Sequence, residues 1–294
     1  MKPTRIAAGV ANFFLNPFGL ELSRRGIPDF DVRFESPRQL DFLFDDLAGS
    51  MEQWINAQQL FTPATRPTRV RTAIERFYRE YLDSPFRVQV AGCRFNNLLW
   101  LYLLSYAIRP TVIVDSGTYR GASAWALSLG SPDSPGYSFD IDLSRLKLRR
   151  PGVRYIQADW TTFDMRTCDT SRGLCYFDDH TDQIGRLIQA AGRGIPFVIF
   201  DDDLRVTAYA PMWEIGIPQL ELPKIEFALD DRLRDKEIIS WSYRGHTLTW
   251  QVDRAYLDRG RAAIQATERL PDTSPITGIG QTPYRLVALK TSRP

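Results

Sequence analysis

Along the first part of the chain, apolar residues recur at three- and four-residue intervals. From residue 110 onward they gather instead into short runs closed by polar residues. The first spacing is helical. It predicts helices near Leu40 to Leu60, Arg69 to Tyr81 and Asn96 to Ala107, with a loop at Thr62-Pro63-Ala64-Thr65-Arg66-Pro67. The short runs read as strands: Thr111–Asp115, Tyr137–Asp140, Val153–Ile156, Leu174–Phe177 and Pro196–Phe200. Helices are expected between them, through Leu129, near Ser144 to Arg149, and from about Asp182 to Ala191. Apolar strands alternating with helices imply a parallel sheet covered on both faces. The tail differs. Ile238–Tyr243 and Thr247–Val252 pattern as a hairpin turning at Arg244-Gly245, followed by a helix over Ala255–Glu268 and a last strand, Tyr284–Leu289. The expected fold is α/β: a Rossmann-like, doubly wound, mostly parallel sheet with an antiparallel C-terminal strand in residues 110–294. A helical N-terminal segment, read as a lid, fills residues 1–109.

Composition narrows the classes. With 44% hydrophobic and 24% charged residues the chain can bury a core. Lys+Arg of 37 against Asp+Glu of 35 leaves a net charge of +2, which argues against a dedicated nucleic-acid binder. The local cluster Arg145, Lys147, Arg149 and Arg150 reads as the solvated face of a helix. Cys93, Cys168 and Cys175 show no paired spacing, so a disulfide framework or zinc site is not expected, and a reducing, cytoplasmic setting fits. No apolar run reaches the roughly 18 residues of a membrane span, so no integral membrane contact is expected. In Met1 to Leu20, Asn12 and Asn16-Pro17 interrupt the apolar stretch, which reads as a short amphipathic helix rather than a cleaved leader.

In a doubly wound sheet, ligands bind beyond the carboxyl ends of the strands. Here five successive strands end at or near an aspartate: Asp115, Asp140, Asp159, Asp178 and Asp201. The first turn runs Asp115-Ser116-Gly117-Thr118-Tyr119-Arg120-Gly121-Ala122-Ser123. Gly117 permits a tight turn and close approach of a ligand, and Gly121 opens the next helix, whose amides attract an anionic group. Tyr119 and Ala122 stand where a dinucleotide fingerprint needs glycine, which disfavours a nicotinamide cofactor.

The stretch from Pro110 to Asp203 resembles class I S-adenosylmethionine-dependent methyltransferases. Its Gly117-x-Tyr119-x-Gly121-x-Ser123 form is especially similar to the metal-dependent, catechol-type O-methyltransferases. The resemblance implies S-adenosyl-L-methionine as cofactor, held by Asp115, Gly117, Tyr119, Gly121 and Ser123. It further implies that Asp140 meets the ribose hydroxyls and that Asp159, with Trp160 beside it, meets the adenine.

A second constellation follows strands four and five: Asp178-Asp179-His180 and Asp201-Asp202-Asp203. Converging carboxylates repel unless a proton or cation neutralises them, and oxygen donors select hard cations. The pattern is similar to that of catechol-type, macrocin and novobiocin sugar O-methyltransferases and of the cephalosporin-hydroxylase group. By that resemblance Asp178, Asp201 and Asp202 would hold Mg²⁺ or Mn²⁺. His180 suits a general base for an acceptor hydroxyl, with Asp179 as the other candidate base and helix capping as the plain alternative. The catechol-type lysine is replaced by Thr181, a departure that leaves the base open.

The sequence therefore implies a methyltransferase acting on a hydroxyl of a small molecule or glycan, with metal assistance. The alternatives are a metal-independent methyltransferase of the same fold, in which Asp201 to Asp203 orient the acceptor, and a cofactor-binding, hydroxylase-like or non-catalytic protein. Self-association and the identity of the acceptor are left open.

Overall fold

Ser36 opens the first helix by a reciprocal cap. Its hydroxyl accepts the Gln39 amide (3.4 Å) and the Gln39 side chain accepts the Ser36 amide (3.3 Å), which fixes the start of α1 (Pro37–Ala57). The computed structural model describes residues 36–58, 69–88, 92–203, 222–243 and 246–290. The amphipathic helix expected in Met1 to Leu20 and the loop expected at Thr62 to Pro67 lie outside the described residues. In α2 (Val70–Asp83) the residues Val70, Ala73, Ile74, Phe77, Tyr78 and Tyr81 are buried, the helical spacing read from the sequence. The third helix, α3 (Phe95–Ile108), is buried on all sides except at Tyr106. A helix apolar all round belongs in a core, and α3 packs against α2 and α4 (Ala122–Gly130). Truncating one of its leucines to alanine would cost about 2–5 kcal/mol.

The strands are β1 (Ile113–Ser116), β2 (Gly136–Asp140), β3 (Val153–Gln157), β4 (Leu174–Phe177) and β5 (Phe197–Phe200). After α5 (Gln183–Gly192) and β5 come α6 (Ile225–Leu229), the hairpin β6 (Ile238–Tyr243) and β7 (His246–Gln251), and α7 (Arg254–Ala263). The chain closes with β8 (Ile264–Arg269), the short α8 (Ser274–Thr277) and β9 (Arg285–Leu289). The main sheet runs β3-β2-β1-β4-β5-β9-β8. Strands β1 to β5 are parallel, β9 is antiparallel to β5, and β8 is antiparallel to β9. This is the Rossmann-like α/β fold, with its strand order reversing between β1 and β4. The β6–β7 hairpin forms a separate sheet.

Two cores follow from the period-two alternation of the strands. Ile113, Leu174, Tyr176, Ile199 and Leu286 join the core of α1 to α4, while Val114, Cys175, Phe177, Val198 and Val287 join that of α5, α6 and α7. The described helices α1, α2 and α3 thus pack as one layer of the sheet's own core.

Two expectations change. Residues 144–149 were expected to be helical, yet only a single turn forms at Leu143–Arg145, and the chain then runs extended. Leu146 and Leu148 turn inward while Lys147 and Arg149 face solvent, a spacing of two rather than 3.6. The helix expected over Ala255–Glu268 stops at Ala263, because Ile264–Arg269 pairs with β9 as the edge strand of the sheet.

Candidate active site

The turn after β1 is stitched to β2. The Gly117 and Thr118 amides both donate to the Phe139 carbonyl (2.9 and 3.1 Å), and the Tyr119 amide donates to Asp140 Oδ2 (2.7 Å). Asp140 Oδ1 also accepts the Asp142 amide (3.0 Å). Gly117 (φ 99°) has no room for a side chain, because a Cβ there would lie 2.3 Å from the Asp178 carbonyl oxygen. Gly121 (φ 86°) starts α4 in a left-handed conformation, and its missing Cβ leaves space for Leu146 and the Leu148 carbonyl. Tyr119 is itself left-handed (φ 44°), its ring flanked by the Arg120 and Arg145 guanidinium groups at 5.0 and 5.6 Å. Gly117, Tyr119, Gly121 and Asp140 are therefore gathered at the carboxyl ends of β1 and β2.

Asp115 and Ser123 lie beneath this turn and are buried. The Ser138 hydroxyl donates to Asp115 Oδ2 (2.5 Å). Burial raises Asp115 to about 6, opposed by the hydroxyls of Ser138 and Ser123 and assisted by the charges of Asp140 and Asp179. Both residues support the turn from below.

The adenine expectation meets a different arrangement. Trp160 is fully buried against Phe177 (ring centroids 5.3 Å), with the Arg193 guanidinium 4.0 Å over its ring. It is a core residue, buried among its neighbours. Asp159 pairs with Arg186 of α5 (2.5 Å) and accepts the amide and hydroxyl of Thr161 (2.8 and 2.5 Å). Burial alone would raise Asp159, but Arg186 and Thr161 outweigh it and bring it down to about 2. Arg186, only 6% exposed, also pairs with Asp179 (2.9 Å). Asp179 further accepts the Ser116 and Thr181 hydroxyls (2.6 and 2.9 Å). With its oxygens so engaged, Asp179 braces the ends of β1, β4 and α5.

Asp178, Asp201 and Asp202 stand at adjacent strand ends, since β4 and β5 pair in parallel. Asp178 reaches two sets of donor atoms, each within 4.8 Å of one another: Asp178, His180 and Asp202, and Asp178, Cys93 and Asp201. Burial, then the charges of Asp201 and Asp202, push Asp178 well above the usual carboxylate range. Asp201 rises to about 7, from burial and the Asp202 charge, against hydrogen bonds from Tyr176 and Thr282. Asp202 is also raised by burial, with His180 and Lys224 opposing. A cation is the group such a cluster suits. Asp203 faces elsewhere, pairing with Arg285 (3.0 Å) and Arg269.

Sequence reasoning did not single out Arg186, Tyr176, Thr282 or Lys224. Lys224 is buried, its Nζ donating to the Asp202 carbonyl (2.7 Å), and burial brings it down to about 8. The available signal lay in Arg186 and Lys224, charged residues placed within apolar stretches.

No family model and no curated protein matches this chain. Solved structures align with it at low identity. CmcI with Mg and SAM is 20% identical, with a TM-score of 0.33 over 48% of this chain and 69% of that one. The O-methyltransferase TomG from Streptomyces achromogenes, in complex with SAM, is 14% identical, with a TM-score of 0.38 over 76% and 90%. An O-methyltransferase from Bacillus cereus in complex with SAH is 13% identical, with a TM-score of 0.40 over 84% and 100%. No helix of the described residues is long and apolar enough to cross a membrane.

Proposed function

We propose that this chain is an S-adenosylmethionine-dependent O-methyltransferase, assisted by a divalent cation, acting on a hydroxyl of a small molecule or glycan. The observation that carries this reading is the contact between two features of different chemistry. The glycine turn after β1 and the acid cluster after β4 share a wall, with Gly117 packed on the Asp178 carbonyl. A cofactor lying over Gly117 with its ribose at Asp140 would bring a transferable group beside Asp178. Such a site meets the main need of methyl transfer, which is alignment of donor sulfur, carbon and acceptor oxygen.

When held by the turn residues, S-adenosylmethionine would supply the activated methyl group, with its sulfur keeping the bonding electron pair and the acceptor's hydroxyl proton passing to solvent. A bound Mg²⁺ or Mn²⁺ would anchor the hydroxyl and raise its acidity. Asp178 and Asp202 offer oxygen donors for the cation, and the turn residues hold the cofactor. The test is methyl transfer to a panel of hydroxylated acceptors, with and without EDTA. Production of S-adenosylhomocysteine that falls in chelator and returns with Mg²⁺ or Mn²⁺ supports the reading. Full turnover in chelator would favour direct orientation of the acceptor by the acids. If neither S-adenosylmethionine nor its product binds, the reading is wrong.

A further inference from the structure

The three acids read as one ligand set are not equivalent in the structure. Asp201 accepts the Tyr176 hydroxyl on Oδ2 (2.7 Å), and on Oδ1 both the Thr282 hydroxyl (2.8 Å) and the Asp202 amide (2.6 Å). Asn97 secures that arrangement. Its amide nitrogen donates to Thr282 Oγ1 (2.8 Å) and to the Thr282 carbonyl (3.0 Å), and its oxygen accepts the Thr282 amide (3.1 Å). With Oγ1 already accepting, its hydrogen is directed to Asp201. Asp201 is 9% exposed, and its inner neighbours are Cys93 Sγ (3.9 Å from Oδ2) and the Tyr176 hydroxyl. Its carboxylate is a hydrogen-bonded part of the interior.

The other side of Asp178 differs. Side-chain exposure is 21% at Asp178 and 33% at His180, and His180 Nε2 lies 3.7 Å from Asp178 Oδ1. That separation is too long for a hydrogen bond. Two ligands each about 2.1 Å from one ion, at angles of about 90–120°, stand roughly 3.0–3.6 Å apart. The observed spacing is close to that. One Asp202 oxygen completes a set in which all three donor atoms lie within 4.8 Å of one another.

We propose that the cation is held by Asp178, Asp202 and His180 Nε2, with Asp201 fixed behind them as a second-row support. The imidazole makes the site prefer a borderline transition ion such as Co²⁺ or Zn²⁺ over Mg²⁺ more strongly than an all-oxygen site would. This rests on the cation-assisted reading above and goes further, since it names His180 as a ligand rather than as the base. An imidazole nitrogen bound to a metal has no lone pair left to take a proton from the acceptor.

The experiment is equilibrium binding of Co²⁺ and Mg²⁺ to the full chain with S-adenosylhomocysteine present. The cobalt absorption spectrum is recorded, and melting temperature serves as the control for folding. His180→Asn is the informative variant, because asparagine tolerates the left-handed backbone of this residue (φ 50°) and offers oxygen in place of nitrogen. It should lower Co²⁺ affinity at least tenfold, shift the cobalt bands and leave Mg²⁺ affinity within a fewfold, so that the Co²⁺ preference shrinks. His180→Ala should lower both affinities. Asp201→Asn should change either affinity only a fewfold. Unchanged Co²⁺ affinity and spectrum in His180→Asn, with binding abolished in Asp201→Asn, would overturn the assignment and return the ligand set to three acids. Failure of the wild-type chain to bind either ion would overturn the cation-assisted reading itself, and this assignment with it.

Discussion

Gly117 and Asp178 meet backbone to backbone, so close that a single Cβ on Gly117 would sit 2.3 Å from the Asp178 carbonyl oxygen. The turn that would cradle a cofactor and the strand end that would hold a cation are thus one rigid unit. Gly117→Ala should damage both. The positive φ and the clash with backbone together should cost about 2–4 kcal/mol of stability. Urea unfolding would measure this, and calorimetry with S-adenosylhomocysteine would show affinity reduced in parallel. A variant with native midpoint and native affinity would show that the turn and the strand end are not coupled.

Asp140 joins the same unit from the other side, through the Tyr119 amide at 2.7 Å. Asp140→Ala removes both that anchor and the carboxylate offered to a ribose. Affinity for S-adenosylhomocysteine should fall about 10- to 100-fold, the range for losing hydrogen bonds to a charged group. Asp140→Asn keeps an acceptor for the Tyr119 amide, so its melting temperature should match the wild type while affinity falls by an intermediate amount. If both variants bind as the wild type does, the ribose lies elsewhere.

The strand runs were legible because fully buried parallel strands leave little choice of residue. Leu174–Phe177 was read with its observed bounds, and the hairpin at residues 238–251 within one residue of them. The segment Ser144 to Arg149 reads as a helix because Leu, Lys and Arg are good helix formers, whereas the deciding contact is tertiary. Leu146 fills the space left by Gly121, and the Lys147 amide donates to the Arg120 carbonyl (3.1 Å), both distant in sequence. Ile264 to Arg269 continues a helical pattern and is drawn into the sheet only by the exposed edge of β9. In the candidate site, the strand-end aspartates could be read individually. Their partners could not, since Arg186 reaches Asp159 across 27 residues and Thr282 reaches Asp201 across 81.

Asp115 should give the protein a measurable dependence on pH. Its carboxyl is raised to about 6 in the folded chain, chiefly by burial, against an ordinary value near 4 when unfolded. Between those values the folded state holds the proton and the unfolded state does not. Stability from this residue is therefore complete below about pH 4 and lost as pH rises through about 6, by on the order of 2–3 kcal/mol. Asp115→Asn keeps an oxygen to accept the Ser138 hydroxyl and carries no charge at any pH. Urea unfolding from pH 4 to 7 should show a smaller downward slope in the variant and a gain in stability at neutral pH. Identical slopes in the two proteins would mean that Asp115 is not titrating in this window.

Arg186 decides between two roles for Asp159. If Asp159 meets an adenine, its loss should weaken cofactor binding and leave the fold alone. The structure instead ties it to Arg186 at 2.5 Å, while the same guanidinium reaches Asp179 at 2.9 Å. Removing the arginine leaves two carboxylates facing one another without their cation, and breaking a buried pair from one side typically costs about 3–5 kcal/mol. Arg186→Leu should therefore lower the unfolding midpoint sharply, although leucine suits the apolar face of α5. Asp159→Asn should cost less, because Asp179 still partners the arginine and the amide oxygen can still accept from Thr161. The half-exposed Asp159 carboxylate also shares its charge with solvent, which reduces the loss further. Affinity for S-adenosylhomocysteine, measured on folded Asp159→Asn below its melting temperature, should stay within a fewfold of the wild type. A loss of tenfold or more with stability unchanged would give Asp159 back to the cofactor and make Arg186 its orienting partner.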